Sequence, residues 1–377
     1  MRTLRTSAWL PAAAVLFGTG WGANQFSPML LVYRRTLGLG TGALEALFGV
    51  YALGLIPGLL LAGPLSDARG RRPVVIPAAW LSLASGLTLA AGAHHPAALV
   101  AGRLMAGVTS GVVFGAGTAW LRELSRPPFG SAPDHAPARC AAVAMTAGFA
   151  LGPLVAGMVA QWAPAPAVIA YAPHVVLMTG VLVLLRGVPE TVAASGRRPT
   201  LVPAGLGSHR FRRVVAPMAP WAFAAPAVAF ALLPSVVGAA RHTDGIALTA
   251  GITALCALSG VLVQPFARRL DAAGRPVSTA GLAGDVWMLA PSAIALGAAY
   301  GLCLVAGLVE VQRLADPRSL AGLTAVFYAL TYLGFAAPYA LALATTAAGY
   351  PTLLAATAAL ALATAVVVEG SGRRKPA

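Results

Sequence analysis

Gly63-Pro64-Leu65-Ser66-Asp67-Ala68-Arg69-Gly70-Arg71-Arg72-Pro73 is a charged, glycine-marked turn set between two long apolar runs. Gly70 permits a tight turn, and Pro73 stops it. Asp67, at a helix end, can face the positive N-terminus of a neighbouring helix, an interaction of up to about 2 kcal/mol. Taken alone the turn could be a stop-transfer cluster of charge. A diluted copy, Leu270-Asp271-Ala272-Ala273-Gly274-Arg275, returns further on, with Asp271 matching Asp67 at an offset of 204. The recurrence implies a chain built as two pseudo-equivalent halves. In the copy, Ala267 stands for Gly63 and Ala273 for Arg69, so its version of the turn is weaker.

Composition names the solvent. Of 377 residues, 58% are hydrophobic and 10% charged, against roughly 25% charged in a soluble domain. A soluble protein of this length cannot hide that much apolar surface, so the chain is expected to live in a lipid bilayer. The 42 Gly and 29 Pro lie within apolar segments, which argues for packed, locally kinked membrane helices rather than disorder. The net charge of +15 raises a nucleic-acid reading, but the basic residues sit in short loops and form no stripe interleaved with aromatics. Cys140, Cys256 and Cys303 are scattered and lack metal-ligand or disulfide spacing. The apolar run behind Arg2 and Arg5 continues to about Val32, too long for a cleaved leader, and reads as the first span.

Apolar segments fall near 8–32, 43–65, 74–93, 97–121, 140–162 and 166–187, then 214–238, 246–267, 277–311, 320–345 and 350–368. If residue 1 is cytoplasmic and every segment crosses, 22 basic residues lie inside and only Arg34, Arg35 and Arg241 outside, a strong positive-inside bias. Both termini carry the inside signature, so the number of crossings is even and 277–311 should cross twice, giving twelve spans. A second loose match, Gly117–Leu124 with Gly307–Leu314, has an offset of 190. Fourteen residues are therefore missing before the tenth span, and the ninth, near Gly281–Asp285, is expected to be abbreviated.

The two charged turns resemble the loop signature of the major facilitator superfamily, and the likeness covers about 8–368. It implies an all-α polytopic membrane protein of two six-helix bundles, 1–190 and 214–377, joined by a cytoplasmic linker 191–213. The third, sixth, ninth and twelfth helices would be peripheral. In that family the Asp67 carboxylate latches the outward-facing state against the eleventh helix, here about Pro317–Ala321, and Gly63 lets the second and eleventh helices approach. Arg69, Arg71 and Arg72 would partner acidic groups and phospholipid heads; Asp271, Gly274 and Arg275 form the second latch.

The fourth span holds Arg103 followed by Gly107. A guanidinium in a membrane helix costs at least about 2.5 kcal/mol unless it faces protein or water. It is therefore expected to point inward, the alternative being snorkelling to the outer interface. The resemblance implies a part in proton transfer. The fifth span carries Gly148, Gly152, Pro153 and Gly157 in the pattern of the superfamily's drug/proton antiporters. The glycines form a flat ridge, and Pro153 removes one backbone donor and bends the helix. The sixth span ends Val188-Pro189-Glu190-Thr191, an ending that antiporter-type relatives often show.

Polar groups inside spans are few. Asn24 and Gln25 in the first helix are the best candidates for substrate contacts, or else make an interhelical bond. Trp221 and Phe223, with Phe230, either stack a lipophilic solute or pack. For proton coupling the candidates are Arg103 and Glu310, with Asp285 behind them; Glu310 could equally pair with Arg313 one turn on. His174 reads as structural.

Together these imply a secondary active transporter, with proton-driven efflux of drugs or hydrophobic metabolites by alternating access as the leading reading. The alternatives are a proton-coupled uptake carrier for a metabolite or sugar and a non-transporting homologue. No paired carboxylates, Ser/His/Asp set or phosphate loop appears, so an enzyme and an ATP-driven pump are disfavoured. The expected partners are a small-molecule substrate, protons and the lipid bilayer, with no nucleic acid. No cofactor or metal is expected. The expected state is a monomer in the plasma (cytoplasmic, bacterial inner) membrane with both termini cytoplasmic.

Overall fold

The computed structural model describes residues 8–93, 95–133, 136–192, 205–236, 243–272, 289–314 and 320–372, and among them there is helix and no strand. The first rod is α1 (Leu10–Asn24) and α2 (Phe26–Leu37), separated by Gln25 alone. Pro28 has no N–H to offer the Asn24 carbonyl, which accounts for a break at this point. The rod stays continuous because the Gln25 N–H still reaches the Trp21 carbonyl at 3.0 Å.

Next come α3 (Thr41–Arg69), α4 (Arg72–Ala91), α5 (Pro96–Val112) and α6 (Thr118–Leu124), the last two joined by a wide turn over Val113–Gly117. They are followed by α7 (Ala136–Trp162), α8 (Pro166–Ile169) and α9 (Ala172–Leu185). Beyond the centre stand α10 (Ala216–Ala227), flanked by wide turns over Phe211–Val215 and Val228–Leu232, then α11 (Leu233–Val236), α12 (Gly245–Ala272) and α13 (Leu289–Leu314). The chain closes with α14 (Leu320–Tyr332), α15 (Ala337–Ala344) and α16 (Tyr350–Gly372).

Ten helical segments among the described residues are long and apolar enough to cross a membrane. The α1–α2 rod makes a further crossing if counted whole. The twelfth expected crossing, the ninth in order, lies outside the described residues. Of 277–311, expected to cross twice, the described part lies in a single helix, α13, and the abbreviated span expected near Gly281–Asp285 lies outside the described residues.

Two compact units emerge, Met1–Leu37 with Val50–Leu201 and Gly38–Gly49 with Val202–Ala377. The first turns of α3 thus belong to the second unit. In the first unit the core includes Leu16, Val75, Ala79, Val113, Trp120, Leu121, Met178 and Leu185, drawn from α1, α4, the wide turn after α5, α6 and α9. In the second, Phe211, Val215, Leu323 and Phe327 are buried together.

Lipid gives helices no hydrophobic reason to associate, so close backbone approach must supply the dispersion energy. On α7, a Cβ added at Gly148 would strike the Phe17 carbonyl, and one at Gly152 would stand 2.5 Å from that of Trp21. Gly63 is different: a Cβ there would meet nothing within 4 Å among the described residues. Gly152→Val should therefore lower stability by about 1–3 kcal/mol through overpacking, whereas Gly63→Ala should be near neutral. Thermal melts of the two purified variants in detergent check the contrast.

Candidate functional site

Among the described residues, the charged turn gathers the densest set of polar contacts in the first unit. α3 runs through Pro64 to Arg69, and the chain reverses at Gly70 with φ +99°. That conformation favours glycine, and a Cβ there would also stand 2.6 Å from the Glu190 Oε2. Arg71 follows, its side chain only 9% exposed. Its guanidinium donates to Ser66 Oγ and Asp67 Oδ1, each at 2.6 Å, and by Nη2 to Glu123 Oε1 at 2.8 Å. Nε also faces both Glu123 oxygens at 3.2 Å. Thr191 Oγ1 donates a short bond to the other Glu123 oxygen.

Glu190 completes the arrangement from beyond α9. Its carboxylate accepts the N–H groups of Arg71 and Arg72 at 2.9 Å, of Thr191 at 2.8 Å and of Val192 at 3.1 Å. Two of these donors stand at the start of α4, where the helix dipole also favours an anion. The Trp120 indole donates to the Pro189 carbonyl at 3.1 Å, and Arg72 Nη2 to the Arg186 carbonyl at 3.3 Å. One turn thus ties together the adjoining ends of α3, α4 and α6 and the segment after α9. Burial alone would depress the Arg71 pKa, but the bonds to Glu123 and then Asp67 outweigh it and hold it above the ordinary arginine range. Asp67 itself is 66% exposed, so its ion pair contributes little beside that of Glu123.

The expected latch partner of Asp67, about Pro317–Ala321, falls mostly outside the described residues. Asp271 lies in the last turn of α12, and Gly274 and Arg275 lie outside the described residues. Arg69 ends α3.

A second polar cluster surrounds the break between α1 and α2. Pro153 cannot donate to the Phe149 carbonyl, and Asn24 Nδ2 approaches that carbonyl at 3.4 Å. Gly157 is buried further along α7. Arg103 of α5 is fully buried rather than at the outer interface. Its Nη1 donates to the Ala23 carbonyl at 3.1 Å, and its Cζ lies 4.6 Å from the Phe26 ring centre and 4.7 Å from that of Tyr51. Nearby, the Tyr33 and Tyr171 hydroxyls share a bond of 2.7 Å. Asn24 and Gln25 are 7% and 1% exposed.

In the second unit Phe223 is stacked on Tyr332 at 4.3 Å and lies beside Tyr300 and Phe335. Phe335 in turn stacks on Phe48, at the start of α3. Trp221 is half-buried. Glu310 stands between two arginines: Arg210 grips it with Nε at 2.7 Å and Nη2 at 3.1 Å, and Arg313 Nη1 reaches it at 2.9 Å. The grip on Glu310 holds the Arg210 pKa above its ordinary value.

Sequence reading missed Glu123 as the main partner of Arg71. The available signal was an acid at the end of a span in a chain with only 11 acidic residues. It also passed over Glu45, which is fully buried near the start of α3. A cavity of about 440 Å³ opens between Trp9 and the turn containing Ser125, Pro127, Pro128 and Phe129, away from every residue singled out by sequence.

A sequence model of the family described as Major Facilitator Superfamily matches residues 12–284. No curated protein matches the sequence. Among solved structures, a peptide transporter in complex with sulfate is similar at a TM-score of 0.74 and 17% identity, covering 98% of this chain and 95% of its own. A D-xylose-proton symporter is similar at 0.64 and 17%, covering 96% of each chain. A bacterial homologue of the human lysosomal transporter Spinster, inward-facing and unoccupied, is similar at 0.73 and 11%, covering 100% of each. At such identities these likenesses show the fold alone.

The four N–H groups on Glu190 carry a pH dependence. Burial raises its pKa, and the N–H groups of Arg71, Val192, Arg72 and Thr191 reverse that and leave it below the ordinary carboxylate range. A carboxyl depressed in the folded state contributes stability that is fully present above its unfolded pKa and is lost as pH falls through the folded one. Melting temperature should therefore fall as pH drops below about 4. Glu190→Gln should melt lower at neutral pH, by about 1–3 kcal/mol, and show a shallower loss in acid. Parallel melts of the two proteins from pH 7 to pH 3 check this.

Proposed function

Because the chain belongs to the major facilitator superfamily, and so is a multi-pass membrane transporter rather than an enzyme, we propose that it expels hydrophobic small molecules in exchange for protons. The observation that carries the reading is the seating of α7 on α1. Gly148 and Gly152 bring the two backbones into contact at Phe17 and Trp21, and Pro153 frees the Phe149 carbonyl that faces Asn24. The residues that mark the antiporter pattern in the sequence are thus the ones that set the first helix, where substrate contacts are expected.

In this reading Asn24 and Gln25 in the first unit, and Trp221 and Phe223 in the second, contribute to substrate binding. The turn around Asp67, Gly70 and Arg71 sets the conformational equilibrium. Coupling at Glu310 proceeds by exchange of partners: a proton arriving on the carboxylate weakens its bonds to Arg210 and Arg313. Arg103 acts on the first helix through the Ala23 carbonyl. Alternating access of the two bundles delivers solute outward as protons move inward.

A second reading, proton-coupled uptake, draws support from the similar structures of a peptide transporter and a D-xylose-proton symporter. Direction separates the two. Cells expressing the chain should accumulate less Nile red, a neutral aromatic dye, than control cells. A protonophore or Asp67→Asn should restore the control level. Increased accumulation that the protonophore abolishes would favour uptake, and unchanged accumulation with the protein in the membrane would contradict both.

A further inference from the structure

A buried polar group with no partner is a defect in a soluble protein and a larger one in lipid, so a fold that keeps one has a use for it. The break in the first rod shows two treatments of such groups. The Ala23 carbonyl is taken by Arg103 at 3.1 Å, and the Asn24 amide is turned to the Phe149 carbonyl at 3.4 Å. Trp21 and Gln25 are left otherwise. The Trp21 indole N–H and the Gln25 side-chain oxygen are both sealed from water, and neither meets a hydrogen-bond partner among the described residues. Gln25 as a whole is 1% exposed.

The indole is a donor only, and the amide oxygen is an acceptor. The two residues are four apart on a stretch whose helical bond, Gln25 N–H to Trp21 carbonyl, is intact at 3.0 Å. Their side chains therefore leave one face of the rod about 5–6 Å apart at Cβ. Trp21 is braced: the α7 backbone at Gly152 abuts its main chain, and Phe17 meets its ring edge-on at 5.9 Å. Neither helix brings a charge to this face, since α1 has none and α7 carries only Arg139, more than two turns before Gly148; the one charge nearby, the Arg103 guanidinium, is turned to the Ala23 carbonyl and lies against Phe26 and Tyr51.

We propose that Trp21 and Gln25 form the recognition edge for an uncharged solute carrying a carbonyl acceptor beside an N–H or O–H donor. The Trp21 N–H donates to the acceptor, and the Gln25 oxygen accepts from the donor. Aromatic parts of the solute lie along Phe17 and the Trp21 ring. The edge is shut in this structure and opens in the substrate-accepting state. This names a substrate class for the carrier proposed above and rests on that reading.

The test uses purified full-length protein in detergent and three radiolabelled probes in equilibrium dialysis. Benzanilide has both the carbonyl and the N–H, phenyl benzoate keeps the carbonyl but lacks the N–H, and N-benzylaniline keeps the N–H but lacks the carbonyl. Wild type should bind benzanilide about tenfold more tightly than either analogue. Trp21→Phe should erase the preference over N-benzylaniline and leave that over phenyl benzoate. Gln25→Leu should do the reverse, and Gln25→Met, closer in shape, repeats the test if the leucine variant is not monodisperse. Equal binding of the three probes by wild type, no binding of benzanilide, or preferences unchanged in folded variants would each overturn the assignment. Nile red efflux that persists alongside such a result would leave the exporter reading standing and remove only the recognition edge. Benzanilide binding with the expected preferences but no efflux would do the opposite.

Discussion

The Arg71 guanidinium is the interaction on which one end of the first unit depends. It is nearly buried, and its donors go to Ser66, Asp67 and Glu123, so three groups on α3 and α6 converge on one side chain. A buried arginine without a counter-ion would cost several kcal/mol; paired bidentately it becomes a clamp with a fixed geometry. The carboxylate of Glu190 works from the other side, on main-chain N–H groups that α4 leaves unmet at its start. Gly70 is obligatory between them, since only glycine both accepts its φ and leaves room for the Glu190 oxygen.

The same economy of polar groups explains the first rod. Prolines remove donors, and in lipid each orphaned carbonyl needs a replacement. The Phe149 carbonyl, left by Pro153, faces the Asn24 amide, and Arg103 supplies the Ala23 carbonyl while lying against Phe26 and Tyr51. Glycine has the complementary part, letting α7 approach α1 closely enough for these reaches to close. Rigidity around the break and unsatisfied groups upon it are thus products of one packing arrangement.

Much of this was legible in the sequence because lipid constrains composition so strongly. Apolar length marked the spans, and the repeated turn pointed to two related halves. The charged turn was legible as a local motif, but its chief partner was not, since Glu123 lies 52 positions from Arg71. No periodicity links residues that meet only when helices pack. The joining of residues 38–49 to the second unit was hidden for the same reason, because α3 reads as one uninterrupted apolar run. Asn24 and Gln25 could be picked out as polar groups in a span, yet only packing shows that Asn24 faces a carbonyl and the Gln25 oxygen does not. Glu310 looked like a candidate proton carrier, and Arg210, a hundred positions earlier, changes its setting.

The most direct test of the account is a double-mutant cycle on Arg71 and Glu123, read by thermal unfolding of the purified protein at neutral pH. If one arginine organises this end of the first unit through that carboxylate, Arg71→Ala and Glu123→Ala should each be strongly destabilising. Combined, they should cost far less than their sum, with a coupling of about 1.5–3 kcal/mol. Additive losses would mean that the two side chains stabilise the bundle independently, and would contradict the account.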